Sequence, residues 1–437
     1  MSKVISDSEL SRDFHSSQKF FAGRLHFLAP AAIFIAFIGI SNFFLIYNMN
    51  LGSLPLNYPR GGPSPTWLQA HSVWDAEWYK IIATEGYPRE VPTFKDTGRV
   101  TIGALAFFPL YPAITSFFMW IFGGSFEVTG LVLNLIFTTA ALSLLYVWIY
   151  QESKRKWAAF LGVFSIFLLP SHYILHVTYT ESLALLLLIS VLYLISKGRF
   201  LAAIPVVILL SLTRNIAPAV GLVWLFYGVS VVVPYIKTHR SEYSPKEMVM
   251  LNRSVVLRYG ALGTTIAASV FTWMVMAWAW TGSRTAYMDT YKAWRQGESG
   301  FLWWFTAGPF GKSDIYPFGE IGVYPMGTMV MVIPVLFFSL LALTWPSDYP
   351  KILKMMPMAF SLYLFIFTIP GGSEWRYMLL GLYLIPFTKV PEDKTKRILY
   401  FSALLLAFMV SLYWTNWWIS NRWFITRSIE GGFVLSP

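Results

Sequence analysis

An all-α polytopic membrane protein is the fold class this sequence predicts, and three observations predict it. Hydrophobic residues fill 56% of the 437 positions, charged residues fill 13%, and mean hydropathy is +0.55. The apolar residues fall in runs that approach the roughly 20 needed to cross hydrocarbon as a helix. The basic residues sit in short stretches between those runs, the distribution that orientation and anionic leaflets demand. A net charge of +11 is thereby explained without nucleic acid, and no nucleic-acid partner is expected. The chain has no cysteine, which removes disulfides, thiol chemistry and thiolate metal sites. Aromatics at 18% suit two interfacial belts and a site that stacks on sugar rings.

In chain order, residues 1–26 are polar, mixed in charge, and read as a cytoplasmic segment ahead of an uncleaved first span at 27–47. Further apolar runs stand at 127–149, 157–171, 181–196, 199–213, 215–236, 259–280, 324–345, 355–370, 376–389 and 398–418. Together they predict about eleven crossings in a single membrane domain over 27–418, followed by an extracytoplasmic tail at 419–437. The segment 104–122 is apolar enough to add another span. Two arguments place it outside, in the interface. Counting it as a span moves every basic run from Lys154 to Arg397 to the outer face, against the positive-inside rule. Pro109 and Pro112 also remove backbone donors, which favours an irregular or surface-lying element. The loops 48–126 and 281–323, His172 to Ser182, the Thr213-Arg214-Asn215 break and Gly371 to Tyr377 then share the extracytoplasmic side.

The chemistry-bearing residues lie in those segments. WDAEWYKIIATEGYP, Trp74 to Pro88, sets Asp75 and Glu77 among Trp74, Trp78 and Tyr79. A carboxylate framed by aromatics at a membrane surface suits proton abstraction from a sugar hydroxyl; a solvated interfacial helix is the plainer alternative. Two residues apart on a helix, the acids point about 200° apart, so one pocket takes only one of them. Gly86 can cap that helix. In YTES, Thr180 is a plausible N-cap and Glu181 suits the positive end of a helix dipole. HYILH places His172 and His176 four residues apart, as polar groups of the interface, donors to a phosphate, or two ligands of a zinc site short of a third. Arg214 interrupts an apolar run and Arg376 follows a glycine-rich turn beside Glu374. Each needs a carboxylate or an anionic ligand unless it snorkels, and a phosphate suits the guanidinium fork. Lys292, Arg295 and Lys312, with Tyr287, Trp294, Trp303 and Trp304, could grip a sugar or a headgroup, or form part of the aromatic belt. No nucleotide-binding motif is present, so an outward-facing transferase must draw on a donor already in the membrane.

In this order WDAEWYKIIATEGYP, FFPLYP (Phe107 to Pro112), YTES, LTRN (Leu212 to Asn215) and SEWRY (Ser373 to Tyr377) resemble the PIG-V-type mannosyltransferases of the GT-C superfamily. The likeness covers about positions 70–380 in motif order. It implies a many-span bundle with interfacial helices in the first extracytoplasmic loop. It further implies a metal-independent, cofactor-free inverting transfer of mannose from a polyprenyl-phosphate mannose. The acceptor would be a hydroxyl of a glycolipid, glycan or protein, at the outer face of the cell membrane or the lumenal face of the endoplasmic reticulum. Asp75 falls on the catalytic position, and Tyr179, Glu181, Arg214 and Arg376 fall on matching segments. Arg214 and Arg376 are expected to bind the donor phosphate, with Glu77 as a secondary acid. Trp74, Trp78, Tyr79, Tyr111, His176, Tyr179 and Glu181 are expected to line the pocket. Glu77-Trp78-Tyr79 departs from the histidine–phenylalanine pair usual in the eukaryotic branch, which leaves the acceptor open. A transporter of lipids or lipid-linked sugars, and a noncatalytic subunit of a glycosylation complex, are the competing function classes.

Overall fold

The computed structural model describes residues 25–50, 66–294, 336, 337, 339–367 and 374–419. Nearly all of the 1–26 segment, most of the expected span 324–345, and Arg295, Trp303, Trp304 and Lys312 lie outside the described residues, as does the tail beyond Ile419.

Among the described residues the regular elements are all helices, as the apolar periodicity predicts. Helix α1 (Ala29–Asn50) is apolar on all sides. The first loop then forms two short helices. α2 (Trp67–Ala70) opens on a reciprocal capping box between Thr66 and Gln69, and α3 (Asp75–Glu85) ends at Gly86, which adopts a positive φ of 85°. α4 (Leu110–Phe122) begins just after Pro109 and carries Pro112 in its first turn, where a missing N–H leaves no helical bond unmade. The prolines expected to leave this segment irregular therefore mark where its helix starts. At 13 residues it rises only about 20 Å, short of the bilayer core.

α5 (Phe126–Ser153) is the longest helix described, with Ser125 capping its start. Gly130, Leu133, Asn134, Thr138, Ala141, Leu142 and Leu145 are buried at helical spacing. After α6 (Lys156–Ile166) and a 3-10 stretch at Pro170–His176, α7 (Glu181–Ser196) is buried nearly all round. A helix apolar on every face belongs at the centre of a bundle. α7 packs against α5, against α8 (Phe200–Ser211), and against α14 (Lys351–Phe367). α9 (Ala217–His239) lies between α14 and α11 (Arg253–Ser269), with α10 (Pro245–Leu251) in the connection. α12 (Thr272–Thr281) and α13 (Ala286–Trp294) fold against the first loop, where Trp273 Nε1 donates to the Leu105 carbonyl at 3.0 Å. α15 (Glu374–Met378) and α16 (Lys394–Trp418) complete the set.

Four described helices are long and apolar enough to cross a membrane: His26–Asn50, Phe126–Ser153, Ala217–His239 and Lys394–Asn416. A fifth results if α11 and α12, bent by 45°, count as one span. That is fewer than the eleven suggested by the apolar runs. The runs at 157–171, 181–196 and 199–213 are helices of 11, 16 and 12 residues, shorter than the roughly 20 a lone helix needs to cross. The run at 376–389 is not one helix. α15 stops at Met378, a 3-10 turn follows at Leu379–Gly381, and Leu382 takes a left-handed conformation ahead of Pro386.

The Lys80–Glu127 ion pair at 2.8 Å ties α3 to the start of α5, while Lys156 stands just beyond that helix's other end. A helix of 28 residues separates the two ends by about 42 Å. The chain has no native cysteine, so Thr84→Cys and Lys156→Cys can each be labelled alone. An impermeant maleimide is expected to reach them from opposite sides of a sealed vesicle; labelling of both from one side would contradict a spanning α5.

Candidate active site

α7 begins at Glu181, whose side chain has 0% exposure. An isolated carboxylate is not tolerated there without compensating charge. Arg214 Nη1 donates to Glu181 Oε1 at 2.7 Å and to the Thr180 hydroxyl at 3.1 Å. Arg376 Nε also lies 2.7 Å from Glu181 Oε1, at an angle that makes the contact an ion pair without a formal hydrogen bond. The Nη1 of the same guanidinium reaches Asp75 Oδ2 at 2.6 Å. Two acids and two arginines, contributed by α3, α7, the α8–α9 break and α15, thus form one continuous chain of charge. Its members differ in access to solvent: Asp75 is 25% exposed, Arg376 13% and Arg214 12%.

Each member is delivered by a local feature of the sequence. Arg214 sits where α8 has ended and α9, opened by Pro218, has not begun. The freed backbone groups find partners: the Leu212 carbonyl accepts from Leu110 N at 3.0 Å and the Asn215 carbonyl accepts from the Tyr363 hydroxyl at 2.6 Å. Asp75 is the first residue of α3, and Trp74 before it holds φ at 62°, a conformation costly for a residue with a side chain. Trp74 offers no side-chain cap. The Tyr179 hydroxyl supplies one, accepting from Asp75 N at 3.3 Å and donating to the Val73 carbonyl at 3.0 Å. Thr180 was expected to cap α7; instead it makes no capping bond and its hydroxyl accepts from Arg214.

Aromatic rings surround the charges. The Arg376 guanidinium lies 5.1 Å from the Tyr179 ring centre and 5.4 Å from that of Tyr377, and Arg214 lies 5.2 Å from Tyr377. Burial lowers the pKa of Arg376, but Asp75 and Glu181 outweigh it, so the guanidinium stays charged well above its ordinary value. Burial, reinforced by the Asp75 charge, raises both Tyr79 and Tyr179, which therefore stay neutral phenols.

The other expected pocket residues divide. Trp74 is 46% exposed beside Asp75, and Tyr79 packs edge-on to Tyr179 at 6.4 Å. Glu77 makes no ion pair with the arginines, and burial raises its carboxyl. Trp78 is taken up in packing, stacked on Phe107 at 5.9 Å and edge-on to Trp294 at 5.6 Å. Tyr111 is fully buried against Tyr79 and the α5 backbone at Gly130. His172 and His176 are in a 3-10 stretch and part company: His172 bonds Ser41 at 3.1 Å, while His176 lies against His71 and Tyr173. No three histidine or acidic side chains gather in metal-binding geometry among the described residues. Tyr287, expected among the gripping residues, is buried with Leu105 and Trp273.

Residues not singled out from sequence hold the site together. Asn134, in the middle of α5's apolar face, donates to the Val177 and Tyr179 carbonyls. Thr178 donates its N–H and hydroxyl to the His71 carbonyl at 3.1 and 3.0 Å, and Ser72 bonds the Thr178 hydroxyl at 2.6 Å. A lone asparagine inside an apolar span was the available signal. Tyr377 could have been found as Arg376's neighbour. No protein-family model matches the chain, and no curated protein matches it.

Asn134→Leu takes the side-chain donor from the Tyr179 carbonyl and leaves the Val177 carbonyl with Tyr179 N alone, and is expected to destabilise the protein by about 1–3 kcal/mol, read as a lower melting temperature. His71 gives a pH-dependent outcome. Burial lowers its pKa from 6.5 to about 4, against a smaller raising effect of its bond to the Trp67 carbonyl. Between those values the unfolded chain binds a proton that the folded protein does not, so stability falls as pH drops from 6.5 towards 4. His71→Asn is expected to remove part of that acid sensitivity, on the order of 2–3 kcal/mol across the window, in melts at stepped pH.

Proposed function

We propose that the protein is an inverting glycosyltransferase that moves mannose from a polyprenyl-phosphate mannose to an acceptor hydroxyl at the extracytoplasmic or lumenal face. The observation that carries this reading is the chain Asp75–Arg376–Glu181–Arg214, which joins one solvent-reachable carboxylate to two guanidiniums in a ring of aromatics. Its chemistry suits group transfer from a phosphodiester. Asp75 takes the proton of the acceptor hydroxyl as that oxygen bonds to the anomeric carbon from the side opposite the phosphate. The bond from the anomeric carbon to the phosphate oxygen breaks, and polyprenyl phosphate departs as an anion. A leaving group of that kind needs positive charge rather than a proton, which Arg376 and Arg214 supply. Exposed Trp74 offers a face to the sugar, and apolar helices provide a path for the prenyl tail.

The finer architecture belongs to the same proposal. It has a GT-C-like bundle whose short helices complete about eleven membrane passages, with α3 and α4 lying in the interface as part of the first outer loop. The exposed Phe117, Trp120 and Phe122 of α4 support an interfacial position for that helix. The membrane is a cell membrane, or the endoplasmic reticulum in a eukaryote.

The test is transfer of labelled mannose from polyprenyl-phosphate mannose by the purified protein in vesicles, with membrane glycolipid as acceptor. Asp75→Asn is expected to lower turnover by about 10²–10⁴-fold, with Glu77→Gln within tenfold of the parent. Full turnover by Asp75→Asn removes that residue from its role. Movement of the labelled donor across the vesicle without a glycosylated product would favour a transporter.

A further inference from the structure

Arg376 has two acidic partners of unequal permanence. Its Nε faces Glu181, which is wholly enclosed, stands at the positive end of α7 and also accepts a hydrogen bond from Arg214. Its Nη1 faces Asp75, a quarter of whose side chain meets solvent and which stands at the positive end of α3. Pulling Glu181 away from either arginine would strand charge in an enclosed place, where nothing else in the ion-pair chain replaces it. Asp75 is different: a quarter of its side chain already meets water, so it can leave Arg376 without being stranded, provided another anion takes its place on the guanidinium.

We propose that Glu181 is the positioning residue of the site. In this reading it is the fixed counterion that holds both guanidiniums in place while Arg376 trades Asp75 for the phosphate of an incoming lipid donor. The proposal rests on the glycosyl-transfer reading and adds an order of events to it. Without donor, the two acids and two arginines balance, and Asp75 is tied to Arg376. A phosphodiester brings one negative charge, takes Nη1 of Arg376, and leaves the Asp75 carboxylate unpaired beside the sugar. The base is thus released only when there is something to transfer. Departure of polyprenyl phosphate returns Arg376 to Asp75.

The same geometry separates this role from a merely structural one. If Asp75 and the phosphate compete for one guanidinium, removing the carboxylate strengthens phosphate binding even as it abolishes transfer. The probe is sugar-free polyprenyl phosphate, titrated onto the full chain in lipid nanodiscs. Asp75→Asn and Asp75→Ser are each expected to bind it about tenfold more tightly than the parent, a difference of about 1.4 kcal/mol. In a Glu181→Gln background the same Asp75 change is expected to give no tightening, because Arg376 is no longer held where the two ligands compete. Arg376→Lys, which keeps the charge but loses the two-edged fork, is expected to lose the coupling too and serves if Glu181→Gln does not fold.

Equal or weaker binding by both Asp75 variants, or no binding by any form, overturns the exchange. Tightening that survives Glu181→Gln overturns the positioning role, and tightening that survives Arg376→Lys overturns the exchange at that guanidinium. Transfer by the parent protein is measured alongside. An active parent without tightening sinks the exchange alone, whereas tightening in a protein that transfers nothing leaves the anion site standing and sinks the transferase reading.

Discussion

Glu181 is a carboxylate with no exposed side-chain surface, at the head of a helix buried nearly all round. Placing a carboxylate there carries a desolvation penalty that hydrophobic packing cannot return, so the protein must bring cations to it. Two arrive, Arg214 and Arg376, from segments separated by some of the longest apolar stretches in the chain. Arg376 in turn reaches Asp75 on the first loop. The demand of one buried acid therefore fixes the mutual placement of four segments. The α8–α9 break and the short helix α15 each present a guanidinium to Glu181.

The neutral hydrogen bonds around this chain serve its placement. Tyr179 caps α3 because Trp74, held at φ 62°, cannot. Its own segment, residues 177–180, bends irregularly between the 3-10 stretch and α7, so its carbonyls draw on side-chain donors. Asn134 provides them from α5, and Thr178 and Ser72 fasten the segment to α2 and the turn behind it. Irregular backbone at the end of an apolar bundle is tolerated only with such partners. Asp75 is accordingly supported by backbone and phenol on one side and by Arg376 on the other, with its remaining surface open.

Much of this was legible residue by residue. Arg214 and Arg376 stood out because a charge in an apolar context demands a partner, Asp75 as an acid among aromatics and Glu181 as an acid at a helix head, and the structure brings the four together. Gly86 as a helix terminator follows from glycine's tolerance of positive φ. Of the expected spans, four or five are described as helices long and apolar enough to cross on their own. Hydropathy responds equally to a helix facing lipid and to one enclosed by protein, and α7 is the second kind. The run at 376–389 is as apolar as a span, but Leu382 and Pro386 break it. Trp78 and Tyr111 read as pocket aromatics and Tyr287 as a sugar, headgroup or belt residue; all three pack against neighbouring rings, and composition carries no information about which way a ring points.

By itself the sequence determined the helical membrane class, the helix-ending breaks and the identity of the charges that need company. These follow from local rules: apolar run length, proline and glycine stereochemistry, and the cost of an unpaired charge away from water. Tertiary structure alone decided how those charges pair. It made Glu181 the shared partner of both arginines, left Asp75 the partly open member, and excluded Glu77 and His176 from the ion-pair chain. Pairing depends on distances between segments that are remote along the chain, and periodicity within a segment cannot encode them.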